Sequence, residues 1–271
     1  MSVINNIKKV LALAIAMFSL SAANATDSRV EADAEWQRAL EAYSKGDFGV
    51  ARDALERVVE LGFGSSKVYY NLGNAYYKLG QQSEQAFEYG ELGRAVLNYR
   101  RALRIDPSDA DVRYNLDIAI DHTNDAEPLP QGALSSMWAA VRGIMSSNGW
   151  AVLSVIELVL ALALTLLYLL SNVIVLRKVA FFVAITLLCA FLLSVVLSLS
   201  QRTKAQDDEL AVVVCNSLTS VHASPDNMSK VIRQPSQGVT VRVLRNHGEW
   251  SEIEFADGEK GWIPTSIIEK V

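Results

Sequence analysis

Few side chains in this sequence could make or break bonds, and none is arranged to do so. His122, His222 and His247 stand far apart, without the spacing of metal ligands. There is no glycine-rich phosphate loop, no Gly-x-Ser-x-Gly elbow and no Cys-x-x-Cys pair. Cys189 lies inside a long apolar run and Cys215 well beyond it, so no disulfide framework follows. Cys215 reads as a small core residue. These absences point to a non-enzyme with no cofactor and no metal. The one conspicuous acid is Glu157, inside an apolar run and about 10 Å deep by helical rise. A charge there costs a few kcal/mol at the membrane centre and less when shallow (~3 kcal/mol at most on insertion scales). Its sharpest role is a contact with another membrane protein. The plainer one is an acid that is neutral or reaches back to the interface. A proton relay would need further acidic partners that these runs lack.

The elements that carry these residues begin with two apolar runs, Ala151–Leu170 and Val179–Ser200. Each is about the ~20 residues a helix needs to cross ~30 Å of hydrocarbon. Ser171–Lys178 allows little more than a turn, so the chain is expected to cross a membrane and return at once, with spans over 149–170 and 179–200. At the N-terminus, Lys8 and Lys9 precede the short apolar stretch Val10–Leu20 and the small-x-small site Ala23-Asn24-Ala25. That is the pattern of a secretory signal peptide over 1–25. Both soluble parts are then expected in the periplasm, tethered to the inner membrane, with the turn 171–178 in the cytoplasm. Arg177 and Lys178 suit that orientation, although Arg142, Arg202 and Lys204 flank the opposite ends. Trp138 and Trp150 suit the membrane interface. Within a linker over 125–148, Met137, Trp138, Val141, Ile144 and Met145 repeat at helical spacing, as in an interfacial helix. Ser147 or Asn148 is the expected cap of the first span.

The chain has 271 residues and a formal net charge of −5, and neither soluble part carries the basic patch of a nucleic-acid binder. In the first part, over 26–124, a period of 34 residues separates Tyr43 from Tyr77 and Gly46 from Gly80. Tyr69, Leu72, Gly73, Tyr76, Ala95, Tyr99, Ala102 and Pro107 follow at fixed spacing. This resembles a tetratricopeptide repeat. Gly80 and Gly90 both match its turn position, which makes Gln81–Tyr89 an insertion. The first repeat is degenerate: Gly46, Ala51 and Leu55 fit, Phe63 takes the proline position and Ala39 that of the packing glycine. Residues 110–120 read as a lone further helix capping the stack. The resemblance places Trp36, Tyr43, Tyr70, Asn74, Tyr77 and Tyr114 on the concave face, an aromatic groove for an apolar or extended peptide. Packing between helices is the competing use of these rings. Asn74 and Asn115 match asparagines of the carboxylate-clamp variety, but Tyr70 stands where that variety has a lysine, which argues against a clamp.

After a linker over 201–209 the period changes to that of strands. Ala211–Val214 is apolar, and Val239–Leu244 and Ser251–Phe255 alternate, with turn signals at Ser224–Asn227, Asn246–Gly248 and Ala256–Gly258. Short strands of this kind suggest a closed β-barrel over 210–271. Gln237-Gly238-Val239, Glu249-Trp250, Asp257-Gly258 and Gly261-Trp262-Ile263-Pro264 resemble a bacterial SH3-type domain, with the tryptophans expected to pack one barrel end. Some relatives of such domains bind cell-wall peptides.

The fold class expected is therefore multidomain: an all-α tetratricopeptide solenoid, a two-helix transmembrane hairpin and an all-β SH3-like barrel. This order of modules resembles the BatE family of the bacterial aerotolerance operon. That resemblance implies a membrane-anchored scaffold in an envelope complex linked to stress or oxygen tolerance. Its implied partners are von Willebrand factor A-type membrane proteins and, indirectly, a MoxR-type AAA+ ATPase. The alternatives are a peptidoglycan-binding module that recruits a cell-wall enzyme, and a regulatory subunit acting through its spans.

Overall fold

A computed structural model of the chain describes residues 27–82, 90–123, 133–204, 209–215 and 219–271. The expected signal peptide, most of the expected insertion and parts of both expected linkers lie outside the described residues. The helical part comprises α1 (27–44), α2 (Phe48–Glu60), α3 (Ser66–Gln82), α4 (Glu91–Ile105) and α5 (Ala110–Asp121). Each forms because apolar residues recur on one side. In α2 these are Ala51, Ala54, Leu55 and Val58, all buried. Gly46 ends α1 at φ 82°, a conformation that costs other residues energy. Asp47 N–H then bonds Ala42 O at 3.0 Å and Gly46 N–H bonds Tyr43 O at 3.1 Å, which satisfies the last carbonyls of the helix. Of the two glycines that match the next turn, Gly90 adopts this geometry, at φ 81°, whereas Gly80 is buried inside α3. Gly73 lets α3 and α4 approach: a Cβ there would meet the Tyr99 ring at 2.6 Å. Asp109 caps α5 by accepting from Asp111 and Val112 N–H.

The segment expected to lie at an interface forms a helix, α6 (Ala133–Arg142), and the apolar runs form α7 (Ser147–Leu170) and α8 (Ile174–Lys204). Both α7 and α8 are long and apolar enough to cross a membrane. They extend past the apolar runs, leaving only residues 171–173 outside a helix between them. The buried stripe Trp150, Ser154 and Ala161 of α7 meets α8, where Ala180, Ser194, Leu197 and Ser198 are buried. Small residues at such a seam permit close packing. The cap of α7 is Ser146, not Ser147 or Asn148: its extended backbone lets the hydroxyl accept from Gly149 N–H at 3.2 Å. Ser147 is instead committed across the hairpin, donating to Ser198 O at 3.1 Å while Ser198 donates back to Ser147 O at 3.0 Å. Arg142 O receives both Trp150 Nε1–H and Gln201 Nε2–H, at 3.1 and 2.9 Å.

The C-terminal part is one antiparallel sheet of seven strands in the order β3-β2-β6-β5-β4-β1-β7. The strands are β1 (Leu210–Val213), β2 (Val221–His222), β3 (Val231–Arg233), β4 (Thr240–His247), β5 (Trp250–Glu254), β6 (Lys260–Pro264) and β7 (Ile268–Lys270). The expected closed barrel does not form, because β3 and β7 are edges that do not pair with each other. The edge at β7 is covered differently. Arg101 of α4 donates to Lys270 O at 2.7 Å and Arg104 donates to Val271 O. A helix lying over an edge removes the need for closure. The sheet core is Ala211, Val213, Cys215, Val221, Val239, Val241, Ile253, Phe255 and Ile263.

Strand β1 is buried on both faces. Ala211, Val213 and Cys215 point into the sheet core, whereas Val212 and Val214 join the core of the helices. The two soluble modules therefore share packing, with β1 lying against α4. Burying a valine fully is worth about 1.5–3 kcal/mol relative to leaving it in water.

Candidate recognition face

The structure brings four of the six predicted groove residues together. Tyr43 comes from α1, and Tyr70, Asn74 and Tyr77 from α3. At their centre stands a residue the sequence reading used only as a repeat marker, Tyr99 of α4, which is 1% exposed. Its hydroxyl donates to Asn74 Oδ1 at 2.8 Å. Asn115 of α5 donates to the same oxygen at 2.9 Å and to Tyr70 Oη at 3.2 Å. The Tyr70 and Tyr99 rings lie 6.3 Å apart, tilted by 46°, a separation typical of favourable aromatic pairs. Tyr77 meets His122 edge-on at 5.8 Å. Burial pushes the Tyr99 phenol well above its ordinary range, and the neighbouring phenols of Tyr43, Tyr70 and Tyr77 push it further. Burial raises Tyr43 too, with Tyr70 contributing.

Three helices thus lock two asparagines in place. A side-chain amide offers two donors and two acceptor sites. Asn74 spends its oxygen on Tyr99 and Asn115, and Asn115 spends its nitrogen on Asn74 and Tyr70. Left over are the Asn74 nitrogen and the Asn115 oxygen, which make no hydrogen bond among the described residues. An amide NH2 and an amide carbonyl match the C=O and N–H of an extended peptide backbone.

Two predicted residues stand elsewhere. Trp36 lines a groove of about 530 Å³ with Val58, Phe63 and Val68, flanked by Arg29 and Lys67. Tyr114 is 67% exposed on α5 and packs against nothing in the helical core. Glu157 lies on the α7 stripe that faces α8, seven residues after Trp150 and four before Ala161. Its Oε2 is buried without a hydrogen-bond partner among the described residues.

On the sheet, the tryptophans do not pack a barrel end. The registers Glu252↔Trp262, Trp250↔Pro264 and His222↔Trp262 put Trp250, Trp262 and His222 on the outward face, while Ser251, Ile253 and Ile263 fill the inside. Trp250 lies 5.5 Å from the His222 ring, edge-on. Trp262 is flanked by His247 at 6.4 Å and the Arg245 guanidinium at 5.3 Å. Both indoles remain half-buried, a platform for stacking.

At the junction, Gly93 of α4 touches the sheet. A Cβ there would stand 2.6 Å from Val213 O and 3.2 Å from Gly238 N. Gly93 N–H donates to Gln237 Oε1 at 3.2 Å, and Gly238 N–H to Val213 O at 2.8 Å. This contact lies at the start of α4, and Tyr99 meets the groove residues from six residues further along the same helix.

Residues 85–117 match a family model described as a TPR repeat, and residues 217–269 one described as a bacterial SH3 domain. The first match spans α4 and most of α5, the second helix of one repeat and the first of the next. No curated protein matches the chain. Modules of these two kinds bind proteins or the cell wall.

Proposed function

We propose that this chain is a non-enzymatic scaffold of the bacterial envelope, similar to the BatE family. A two-span hairpin anchors it in the inner membrane and both soluble modules stand in the periplasm. The observation that carries this reading is the locked Tyr70–Asn74–Tyr99–Asn115 network. It leaves a backbone-matching amide donor and amide acceptor where α3 and α5 meet. Holding the two asparagines in one geometry before binding reduces the ordering cost of a peptide complex. The partners fitting the resemblance are von Willebrand factor A-type membrane proteins. A MoxR-type ATPase would be coupled only through them, because residues 171–173 and the adjoining helix ends are all that this topology exposes to the cytoplasm.

The test is a photo-crosslinking residue in place of Tyr77 in intact cells. Capture of a von Willebrand-type membrane protein is expected, and repeated failure to crosslink any protein would sink the reading. A reporter fused after Val271 should be active only in the periplasm. A second reading is favoured by the outward Trp250–His222 and Trp262–Arg245 platform: the sheet binds peptidoglycan and the repeats recruit a cell-wall enzyme. Retention of the full chain on purified cell wall, lost in Trp262→Ala, supports it; no retention of the wild type rejects it.

A further inference from the structure

The end of the hairpin near residues 171–173 carries a recess of about 540 Å³, lined by Tyr168, Ile174, Arg177, Lys178, Phe181 and Phe182. Its volume is within the range of small-ligand sites, roughly 300–1,000 Å³. The Arg177 guanidinium lies 5.1 Å from the Tyr168 ring centre, which fixes its position without neutralising it. Phe181 packs on Tyr168 at 5.6 Å and Phe182 on Phe181 at 5.5 Å, making an aromatic wall. Neither Arg177 nor Lys178 has a carboxylate partner among the described residues, and the sequence from Leu158 to Gln206 contains no acid at all. Two cations are thus held together with no protein anion to balance them.

Their depth identifies the missing anion. The candidate span Ile174–Arg202 has 29 residues, about 43 Å at ~1.5 Å per residue, against ~30 Å of hydrocarbon, which leaves about 7 Å at each end. Arg177 and Lys178, about 5–6 Å from Ile174 by helical rise, fall within that end. That is the headgroup layer, which adds roughly 5–7 Å on each side of the core. On the membrane side of the cations the rim continues into Phe182, which is 67% exposed and offers apolar surface where acyl chains run. Basic pockets between membrane helices at this level bind anionic lipid headgroups. We propose that this recess binds the phosphodiester of an anionic phospholipid, with Arg177 and Lys178 on the phosphate and Phe182 along an acyl chain. A zwitterionic lipid brings its own cation against the same pair and is the poorer ligand. The inference rests on the membrane reading of α7 and α8.

The test uses the full chain reconstituted in bilayers of phosphatidylcholine and phosphatidylglycerol, released into mild detergent, with retained lipids counted by native mass spectrometry. Each cation near an anionic surface contributes about 5-fold in affinity, so the pair predicts about 30-fold preference for phosphatidylglycerol. The double variant Arg177→Gln, Lys178→Gln should lose the preference, and Arg202→Gln at the opposite end should keep it. Equal retention of both lipids overturns the proposal, as does displacement by inorganic phosphate. An equal loss in Arg202→Gln also overturns it, as does a photo-crosslinker at Phe182 that captures a protein segment in place of lipid. Flotation separates this failure from that of the membrane reading. A chain that floats with vesicles of any composition yet shows no preference defeats the lipid site alone; one that floats with none defeats the membrane reading.

Discussion

Gly93→Ala tests the shared packing of the two soluble modules. In an isolated helix this change would help, since alanine is better than glycine by about 1 kcal/mol in a helix interior. Here the added methyl would stand 2.6 Å from the Val213 carbonyl oxygen. That oxygen is backbone and already accepts Gly238 N–H at 2.8 Å, so it yields only if β1 moves. Overpacking of this kind costs about 1–3 kcal/mol, and disturbing the Gly238 bond adds about 0.5–1.5 kcal/mol. Set against the helix gain of about 1 kcal/mol, the junction should weaken by roughly 0.5–3.5 kcal/mol. Gly49→Ala in α2 is the control, because nothing lies within 4 Å of its Cβ position; it should be neutral or stabilising by up to ~1 kcal/mol. Hydrogen exchange reads both changes. In Gly93→Ala the amides of Val213, Gly238 and Val271, which bond across or beside the junction, should lose about 2- to 300-fold in protection, at ~1.4 kcal/mol per tenfold. Amides of β5 and β6 should keep theirs. If Gly93→Ala behaves like Gly49→Ala, the helices and the sheet do not pack as described.

Tyr99→Phe removes the hydroxyl that orients Asn74 and should cost about 0.5–1.5 kcal/mol in denaturant unfolding, with weaker crosslinking through the groove. Tyr99 and Tyr76 are held above the ordinary phenol range by burial, and Tyr76 also by its hydrogen bond to Glu56. A raised folded value means the native state keeps protons that the unfolded chain releases. Stability from these groups is thus complete below about pH 10 and declines as pH rises from there. Phenolate absorbance should show these two tyrosines ionising only with unfolding; free titration in the folded chain would contradict their burial. Arg104→Ala uncovers the Val271 carbonyl just after β7 and should cost about 1.5–3 kcal/mol, seen as faster exchange at Val271. Glu269→Gln, which removes the half-exposed pair with Arg101 and the attraction for Arg94, should cost at most about 1 kcal/mol.

The helical part was legible because its packing residues are of few kinds at fixed spacing: Gly73 must be small where Tyr99 crosses it, and Gly46 must turn. The groove was legible only in part. Helical spacing says which residues share a face of one helix, but Trp36 lies two turns from Tyr43 and faces a different groove, and Tyr114 is left outward by the arrangement of α5. Tyr99 was passed over as a groove residue because repeat spacing marks it as packing, and it serves both purposes. The closed barrel was inferred from short strands, since nothing local announces that arginines thirteen and ten residues into another module's helix cover an edge. One signal of the junction was in plain view. Ala211–Cys215 is an unbroken apolar run, and a strand without alternation is one covered on both sides.

That doubly covered strand also dictates an order of events in folding. Val212 and Val214 need α4, and β1 pairs with β7. The hydrogen bonds that close the junction span 144 residues from Gly93 to Gln237 and 169 from Arg101 to Lys270. Contacts of such separation are slow to form, because loop closure must precede any gain. The helices can assemble as soon as they emerge, but their α4 surface waits, apolar and uncovered, until β1 and β7 have followed the hairpin. The interval between those moments is when this chain is most exposed to wrong partners, and when a chaperone has the most to shield.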